Sequence, residues 1–286
     1  MPPLRVSAIS FLNTAPLLWD FEQGERAREL RKHFELSYTV PSQCAEQLKV
    51  GAVDIGIIPV AAYTTIPDLV VIPDVAIAAK NAVRSILLIS KAPVEKIRSV
   101  ATDDSSRTSA ALVEVFLRRF VGIVPSFSPQ TPQLDEMLRW HDAALLIGDR
   151  ALQASVKGYY VYDLAEEWRR WTGRAFVFAF WAVRKSALAS SAAVDIGLAQ
   201  AFQQSRDNGL RHIPEIAAAW GPRLGLPAQL VGNYLNENVD YSLDEDNLEG
   251  LRLFFRYAAE CNVLPAAPEI QFLNQPSPAV RSLWAQ

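Results

Sequence analysis

The sequence predicts an α/β protein of two lobes, each a mostly parallel sheet flanked by helices, with a two-strand hinge between them. The order strand, polar turn, helix, strand, helix, strand occurs twice, once within residues 4–59 and again within residues 97–149. The third strands of the two units also look alike, with Val53–Ala61 beside His141–Ala151. Two units of one build predict two lobes of one build.

Two β-like runs, Asn81–Ser90 and Phe176–Val183, predict the hinge. A chain that leaves the first unit through one run and returns through the other crosses twice between the lobes. On this interpretation the first lobe comprises residues 1–84 and 181–286, and the second comprises residues 85–180.

Each predicted element of the two units has a pattern of its own. In the first unit these are strands at Leu4–Ser10, Phe34–Val40 and Asp54–Ile58, and a helix that starts with Ser42 as N-cap and ends at Gly51. In the second unit they are strands at Ile97–Asp103, Ile123–Phe127 and Ala143–Ile147, and helices at Ala110–Phe120 and Pro132–Trp140.

The C-terminal third is predicted to be helical scaffold. Its helices are expected at Ser190–Asn208, Ile213–Trp220, Pro227–Asn236 and Asp244–Cys261, the last with Ser242 just before an acidic opening that suits a helix N-terminus. The tryptophans at positions 168, 171 and 181 are expected to pack rather than to bind a ligand.

The composition excludes several classes of function. The chain has 286 residues, half of them hydrophobic, a formal net charge of −3 and no long basic run, so neither nucleic acid nor a membrane surface is an expected partner. Cys44 and Cys261 are far apart and are expected to be reduced thiols. The three histidines are scattered, so no metal site is predicted.

The N-terminus lacks a cationic leader followed by an uninterrupted apolar core, and no run is long enough to span a membrane. We therefore expect a cytoplasmic protein. The sequence leaves its oligomeric state open.

The turn Asp104–Ser109 joins a predicted strand to a predicted helix and carries four hydroxyls and one guanidinium. Free backbone N–H groups and the helix dipole make such a turn a site for a carboxylate or a phosphate. The alternative is that Ser105 or Ser106 only caps the helix.

Ligands of open parallel sheets bind beyond the carboxyl ends of the strands, so the loops there are expected to line one cleft between the lobes. That cleft holds hydroxyls, an amide, backbone N–H groups and a single carboxylate, which suits a small polyanionic organic acid. Its candidate residues are Ser10, Asn13, Ser85, Ser105, Ser106, Arg107, Thr108, Ser109, Gly148 and Asp149.

Six motifs, in order over nearly the whole chain, resemble the chorismate dehydratase family of the futalosine route of menaquinone biosynthesis. They are Ser10–Leu17, Asp54–Pro59, Asp104–Ser109, Glu166–Gly173, Phe176–Trp181 and Asn233–Leu243. The resemblance implies a fold like that of type II periplasmic binding proteins. It also implies a lyase that converts chorismate to 3-[(1-carboxyvinyl)oxy]benzoate and water without metal or organic cofactor.

The resemblance and the cleft residues together suggest roles. Ser106, Thr108 and Ser109 would hold one carboxylate with the helix N-terminus, and Ser85 would assist at the hinge. Asn13 would contact the ring hydroxyl or the enolpyruvyl group and is the candidate catalytic residue. Arg107 could contact the substrate or be held by Asp103 or Asp104.

The dehydration removes a ring proton next to the enolpyruvyl ether. Two groups could take this proton: Asp149, or the substrate's own enolpyruvyl carboxylate. The scarcity of titratable groups in the cleft favours the second, substrate-assisted route, because intramolecular delivery is effective when the geometry is right.

Three other functions compete with the dehydratase. A cytoplasmic binding protein or sensor for a small organic acid would share the fold without catalysis. The related synthase that forms 1,4-dihydroxy-6-naphthoate would need a histidine base, and no histidine falls on the cleft loops. An effector domain of a transcription factor would follow a DNA-reading helix pair, which the sequence lacks.

Overall fold

A computed structural model describes residues 2–189 and 197–273. Its strands form two five-stranded sheets, ordered β2-β1-β3-β10-β4 and β7-β6-β8-β5-β9. They are β1 (Leu4–Ile9), β2 (Phe34–Thr39), β3 (Ile55–Pro59), β4 (Leu69–Ala79), β5 (Ile86–Ser90), β6 (Ser99–Asp103), β7 (Ser126–Gln130), β8 (Ala143–Ile147), β9 (Tyr160–Asp163) and β10 (Phe176–Arg184).

Helices cover both sheets. They are α1 (Trp19–Glu22), α2 (Ala27–Leu30), α3 (Pro41–Lys49), α4 (Val60–Tyr63), α5 (Arg107–Val115), α6 (Leu134–Trp140), α7 (Gly148–Gln153), α8 (Leu164–Thr172), α9 (Leu198–Arg211), α10 (Ile213–Leu224), α11 (Ala228–Asn233) and α12 (Glu245–Glu260). Short 3-10 segments lie at Leu12–Leu18, Val94–Lys96 and Lys185–Ala189, and π-helical turns at Phe116–Val121 and Tyr234–Asn238.

Each sheet is mixed: four of its five strands run parallel to one another and one runs in the opposite direction. Strand β1 pairs parallel with β2 and β3, and β6 pairs parallel with β7 and β8. Strand β10 is antiparallel to β3 and β4, and β5 is antiparallel to β8 and β9. As far as the described residues go, the reversed strand in each sheet is therefore the first one after the chain has crossed from the other lobe.

The chain crosses between the sheets at residues 80–85 and 173–175. At the first crossing, Ala79 is the last residue that pairs in the first sheet and Ile86 is the first that pairs in the second. The division expected between residues 180 and 181 falls inside β10, which pairs in the first sheet from Phe176 onward. Strand β10 is almost wholly buried, so its sequence carries no alternation that would mark where the lobe begins.

Besides the short 3-10 segments, five elements lie where none is predicted: β4, β9, α4, α7 and α8, and the sequence predicts no bounds for α1 and α2. The predicted N-cap Ser42 is wrong, because Val40 precedes α3 and Pro41 is the first residue of that helix. Asp244 caps α12 by accepting the N–H of Asn247, while the Ser242 hydroxyl donates to Asp240. The predicted helix Ser190–Asn208 is described only from Gly197, and its first seven residues lie outside the described ranges.

Aromatic packing joins the C-terminal helices to the sheets. Trp168 and Trp181 are fully buried, as expected; Trp168 packs edge-on against Phe176 and Phe254. Trp171 is half exposed and stacks on Phe120. Within the described ranges, no helix combines the length and the apolarity needed to cross a bilayer.

Candidate active site

A cavity of about 50 Å³ lies where the carboxyl ends of the strands of the two sheets meet. Its walls come from both lobes and from the β4 and β10 strands that adjoin the crossings. The lining residues are Ile9, Phe11, Asn13, Thr14, Pro41, Pro59, Ile77, Ile86, Ser106, Thr108, Ser109, Ile147, Gly148, Phe178 and Ala179. The structure thus brings together five of the ten predicted site residues: Asn13, Ser106, Thr108, Ser109 and Gly148.

Asn13 brings to the cavity a side-chain oxygen that has no hydrogen-bond donor among the described residues. It lies in the 3-10 segment after β1, which Thr14 anchors by donating its hydroxyl to the carbonyls of Ile9 and Phe11 at 2.5 and 2.7 Å. The side-chain oxygen of Asn13 is buried and has no hydrogen-bond partner in the described chain. A buried acceptor without a donor is costly, so this oxygen is suited to a donor on a ligand.

The turn before α5 both caps the helix and faces the cavity. The Ser106 hydroxyl accepts the N–H of Ser109 at 3.2 Å, which is an N-cap bond. The Thr108 hydroxyl accepts the N–H of Ala61 at 3.2 Å, and the Ser109 hydroxyl bonds to no described group. The hydroxyl hydrogens of all three residues therefore remain available for an anion beside the positive end of the helix.

Ser105 stabilises the turn and does not line the cavity. Its N–H and its hydroxyl both donate to a carboxylate oxygen of Asp103, at 2.9 and 2.6 Å. Burial raises the pKa of Asp103, and the two bonds from Ser105 oppose that rise. Ser105 therefore fixes the strand-to-turn corner from which the next three hydroxyl residues reach the cavity.

Ser85 and Asp149 lie just behind the cavity wall. The Ser85 carbonyl accepts the N–H of Gly148 at 2.8 Å, and its hydroxyl accepts the phenol of Tyr234 at 2.9 Å. A carboxylate oxygen of Asp149 accepts the N–H of Leu12 at 3.0 Å. Burial raises the pKa of Asp149, which this hydrogen bond lowers in part.

Ser10 and Arg107 do not line the cavity. Ser10 is exposed and donates its N–H to the carbonyl of Thr39 at 3.3 Å. Arg107 is also exposed, and its guanidinium lies 3.8 Å from the carboxylate of Glu46, not beside Asp103 or Asp104. Both sit at the rim, where the two lobes meet solvent.

The lobes are closed on each other around this cavity. Three backbone N–H groups of the first lobe, from Leu12, Ser42 and Ala61, donate to acceptors of the second lobe. A cavity of this volume has space for only a few water-sized groups. A ligand with a ring and two carboxylates therefore needs the lobes to separate and close again.

No pattern in the sequence marks the apolar walls of the cavity or Tyr234 as part of the site. Phe11 is the closest partner of Gly148 across the lobes, since a Cβ on Gly148 would lie 2.8 Å from its ring. Phe178 belongs to the wholly buried run of β10, where no polar residue marks a site. Tyr234 contacts Ser85 across 149 positions of sequence, a distance that no local pattern reveals.

None of the described residues that line the cavity is titratable. The three histidines lie elsewhere: His33 beside Glu29, His141 at the end of α6 and His212 stacked on Trp19. The described residues also contain no cluster of three or more histidine, cysteine or acidic side chains placed to share a metal ion. The polar chemistry of the cavity rests on hydroxyls, one amide and backbone N–H groups.

Comparisons with known proteins show the family of this chain. A family model described as menaquinone biosynthesis matches residues 4–260. A chorismate dehydratase from Thermus thermophilus is 31% identical to this chain over 253 residues, which are 82% of this chain and 89% of that protein.

Solved structures show the same fold at low identity. A crystal structure of an Archaeoglobus fulgidus protein superimposes with a TM-score of 0.71 at 14% identity, covering 92% of this chain and 98% of its own. The periplasmic aliphatic sulphonate binding protein SsuA from Escherichia coli has a TM-score of 0.62 at 18% identity, with 94% and 96% covered. The chain is thus a member of the menaquinone biosynthesis family, built on the two-lobed fold of periplasmic binding proteins.

Proposed function

We propose that this protein is a chorismate dehydratase, which converts chorismate to 3-[(1-carboxyvinyl)oxy]benzoate and water as the first step of futalosine-route menaquinone biosynthesis. The observation that carries the proposal is a closed interlobe cavity with hydroxyl donors, an unpartnered amide oxygen and no titratable lining residue. The dehydratase of Thermus thermophilus supports it. A cytoplasmic location is part of the proposal, as expected for a biosynthetic family.

The hydroxyl turn is the proposed site for the ring carboxylate of chorismate. Ser106, Thr108 and Ser109 offer three hydroxyl hydrogens at the N-terminus of α5, and Ser85 offers a fourth from the crossing segment. The apolar walls, which include Phe11 and Phe178, enclose the ring. Charge-assisted hydrogen bonds of this kind strengthen when water is excluded.

The reaction breaks one C–H and one C–O bond of the ring. A base removes the proton from the carbon that bears the enolpyruvyl ether, and the electron pair spreads through the ring double bond onto the ring carboxylate. The neighbouring hydroxyl then leaves with a proton as water, and the ring becomes aromatic. Donors around the carboxylate stabilise the charge as it develops.

The base in this proposal is the enolpyruvyl carboxylate of the substrate itself. Asp149 follows Gly148 of the cavity wall, but one of its carboxylate oxygens already accepts the Leu12 N–H, which ties the carboxylate to the 3-10 segment after β1. The ether oxygen keeps the substrate carboxylate close to the ring proton, which favours intramolecular transfer. The protein then folds the substrate and excludes water.

Asn13 is the proposed catalytic residue. Its unpartnered oxygen would accept the hydrogen of the ring hydroxyl, and its amide N–H would approach the enolpyruvyl group. We expect Asn13→Ala to lower kcat about 100-fold, the order seen when one donor of a preorganised site is removed. Asn13→Asp should lose more, since it adds a negative charge beside two carboxylates. Near-native turnover in both variants would remove Asn13 from the mechanism.

The direct test is incubation of the purified protein with chorismate, followed by separation and mass analysis of the products. The proposal predicts an aromatic product lighter than chorismate by one water. If chorismate binds and stays unchanged, the protein is a small-acid binding protein or sensor of the same fold, and the dehydratase proposal fails.

A further inference from the structure

The segment Asn233–Leu243 carries part of the family resemblance but has no part in the chemistry above. It begins at the end of α11 and passes through the π-helical turn Tyr234–Asn238. Turns of this rare kind are frequent at functional sites. In this protein the segment packs on the end of β4 and on the first crossing between the lobes, at residues 78–85.

Three contacts tie the segment to that crossing. The Tyr234 hydroxyl donates to the Ser85 hydroxyl at 2.9 Å, and the Asn238 amide donates to the carbonyl of Ala82 at 2.9 Å. Asp240 and Ala78 exchange two backbone hydrogen bonds, both of 2.8 Å. The crossing is thus held along its length from the first lobe.

The second lobe holds the same crossing in an unusual backbone conformation. Arg84, which precedes Ser85, has a φ of +64°, a left-handed value that costs energy for a residue with a Cβ. The carboxylate of Asp163 accepts the N–H groups of Val83 and Arg84 at 3.2 and 2.6 Å. The backbone at Ser85 is therefore fixed from both lobes.

The hydroxyl of Ser85 has one hydrogen-bond partner in the described part of the chain and one hydrogen still free to donate. Its hydroxyl accepts from Tyr234, and its hydrogen has no acceptor among the described residues. Burial raises the pKa of Tyr234, so the phenol stays protonated and remains the donor at neutral pH. Ser85 also adjoins two residues of the cavity wall, Ile86 in sequence and Gly148 through its carbonyl.

We propose that Tyr234 and Asn238 are positioning residues for the dehydration: Tyr234 orients the Ser85 hydroxyl so that it donates to the substrate's ring carboxylate, and Asn238 fixes the turn that carries Ser85. The inference rests on the proposed function, because it assigns the polar group that Ser85 meets. It gives the shape of the crossing a chemical purpose without adding a further group that touches the substrate.

The test compares two buried tyrosines in the same segment. Tyr234→Phe deletes the hydroxyl that donates to Ser85. Tyr241→Phe is the matched control, because the Tyr241 hydroxyl is buried with no described partner. We expect Tyr234→Phe to lower kcat about tenfold, on the order of one hydrogen bond to a charge-stabilising group, and Tyr241→Phe to keep wild-type kcat.

A cycle with Ser85→Ala separates positioning from general stability. In the Ser85→Ala background Tyr234→Phe should change kcat less than about twofold, because the hydroxyl it orients is absent. Full additivity, or an unchanged kcat in Tyr234→Phe, would overturn the inference. Thermal unfolding of each variant shows whether a loss of activity tracks a loss of fold.

Asn238→Ala provides a second route if Tyr234→Phe does not fold. It should lower kcat about threefold while the melting temperature stays within a few degrees, and an unchanged kcat would count against the positioning role. A wild-type protein that leaves chorismate intact would refute the proposed function itself. A wild-type protein that is active beside a fully active Tyr234→Phe would refute only the positioning role.

Discussion

The approach of Gly148 to Phe11 allows a sharp test of lobe closure. Gly148 has a φ of +55°, and an added Cβ would lie 2.8, 3.0 and 3.2 Å from three atoms of the Phe11 ring. Gly148 belongs to the second lobe and Phe11 to the first, so this clash arises only when the lobes close. Gly148→Ala is therefore expected to act on closure as well as on stability.

The free-energy cost of Gly148→Ala has two parts. An alanine in the left-handed region costs about 1 kcal/mol in the open and closed states alike, and this part lowers stability only. Displacing the Phe11 ring by several tenths of an ångström costs about 1.5 kcal/mol in the closed state. Since 1.4 kcal/mol is a factor of ten, kcat/KM for chorismate should fall about tenfold.

Gly122→Ala is the matched control. Gly122 lies in the same lobe with a φ of +81°, and no atom lies within 4 Å of its added Cβ. It should lose similar stability in urea unfolding and keep its turnover. In a Phe11→Ala background, Gly148→Ala should cost less than about twofold. Equal losses of turnover at Gly148 and Gly122, or a tenfold loss that persists without the Phe11 ring, would refute the closure argument.

Three further changes have separate expectations. Thr108→Val removes both the acceptor of the Ala61 N–H between the lobes and a proposed donor to the ring carboxylate, and should lower kcat/KM about tenfold, measured by steady-state kinetics. Gly250→Ala should lower the free energy of unfolding in urea by about 3 kcal/mol, because its Cβ would lie 2.0 Å from the Ala175 carbonyl oxygen. Gly232→Ala is its control: the one atom near its added Cβ lies at 3.9 Å, so its free energy of unfolding should be unchanged or higher. The free energy of unfolding of Asp149→Asn relative to wild type should rise with pH from about 3.8 until Asp149 has lost its proton in the folded state, and then level off, because burial raises the folded pKa of Asp149. A stability difference that does not change with pH would contradict this last expectation.

The strand and helix order of both lobes could be predicted because those elements keep clear periods and polar turns. Strand β4 escaped prediction because Pro73 and Asp74 interrupt it, and the φ of +64° at Asp74 bends it without ending it. Strand β9 is short and half exposed, so it lacks the apolar alternation of the others. The lobe boundary near β10 could not be located from the sequence, because the strand is a uniformly apolar and buried run that would suit either lobe.

The candidate site was predictable where strand ends carry polar residues, as at Asn13 and Thr108. Sequence could not separate Ser105, which binds Asp103, from Ser106, because only the side-chain direction differs. The apolar wall and the contact of Tyr234 with Ser85 depend on long-range packing. A local pattern gives no signal for such contacts.

Substrate-assisted dehydration requires that no side chain of the protein accept the ring proton. Asp149→Asn tests this most directly, because the amide is isosteric and its oxygen can still accept the Leu12 N–H. At saturating chorismate we expect its kcat to stay within about threefold of wild type. A loss of about 100-fold or more in a folded variant would make Asp149 the base and would contradict substrate-assisted dehydration.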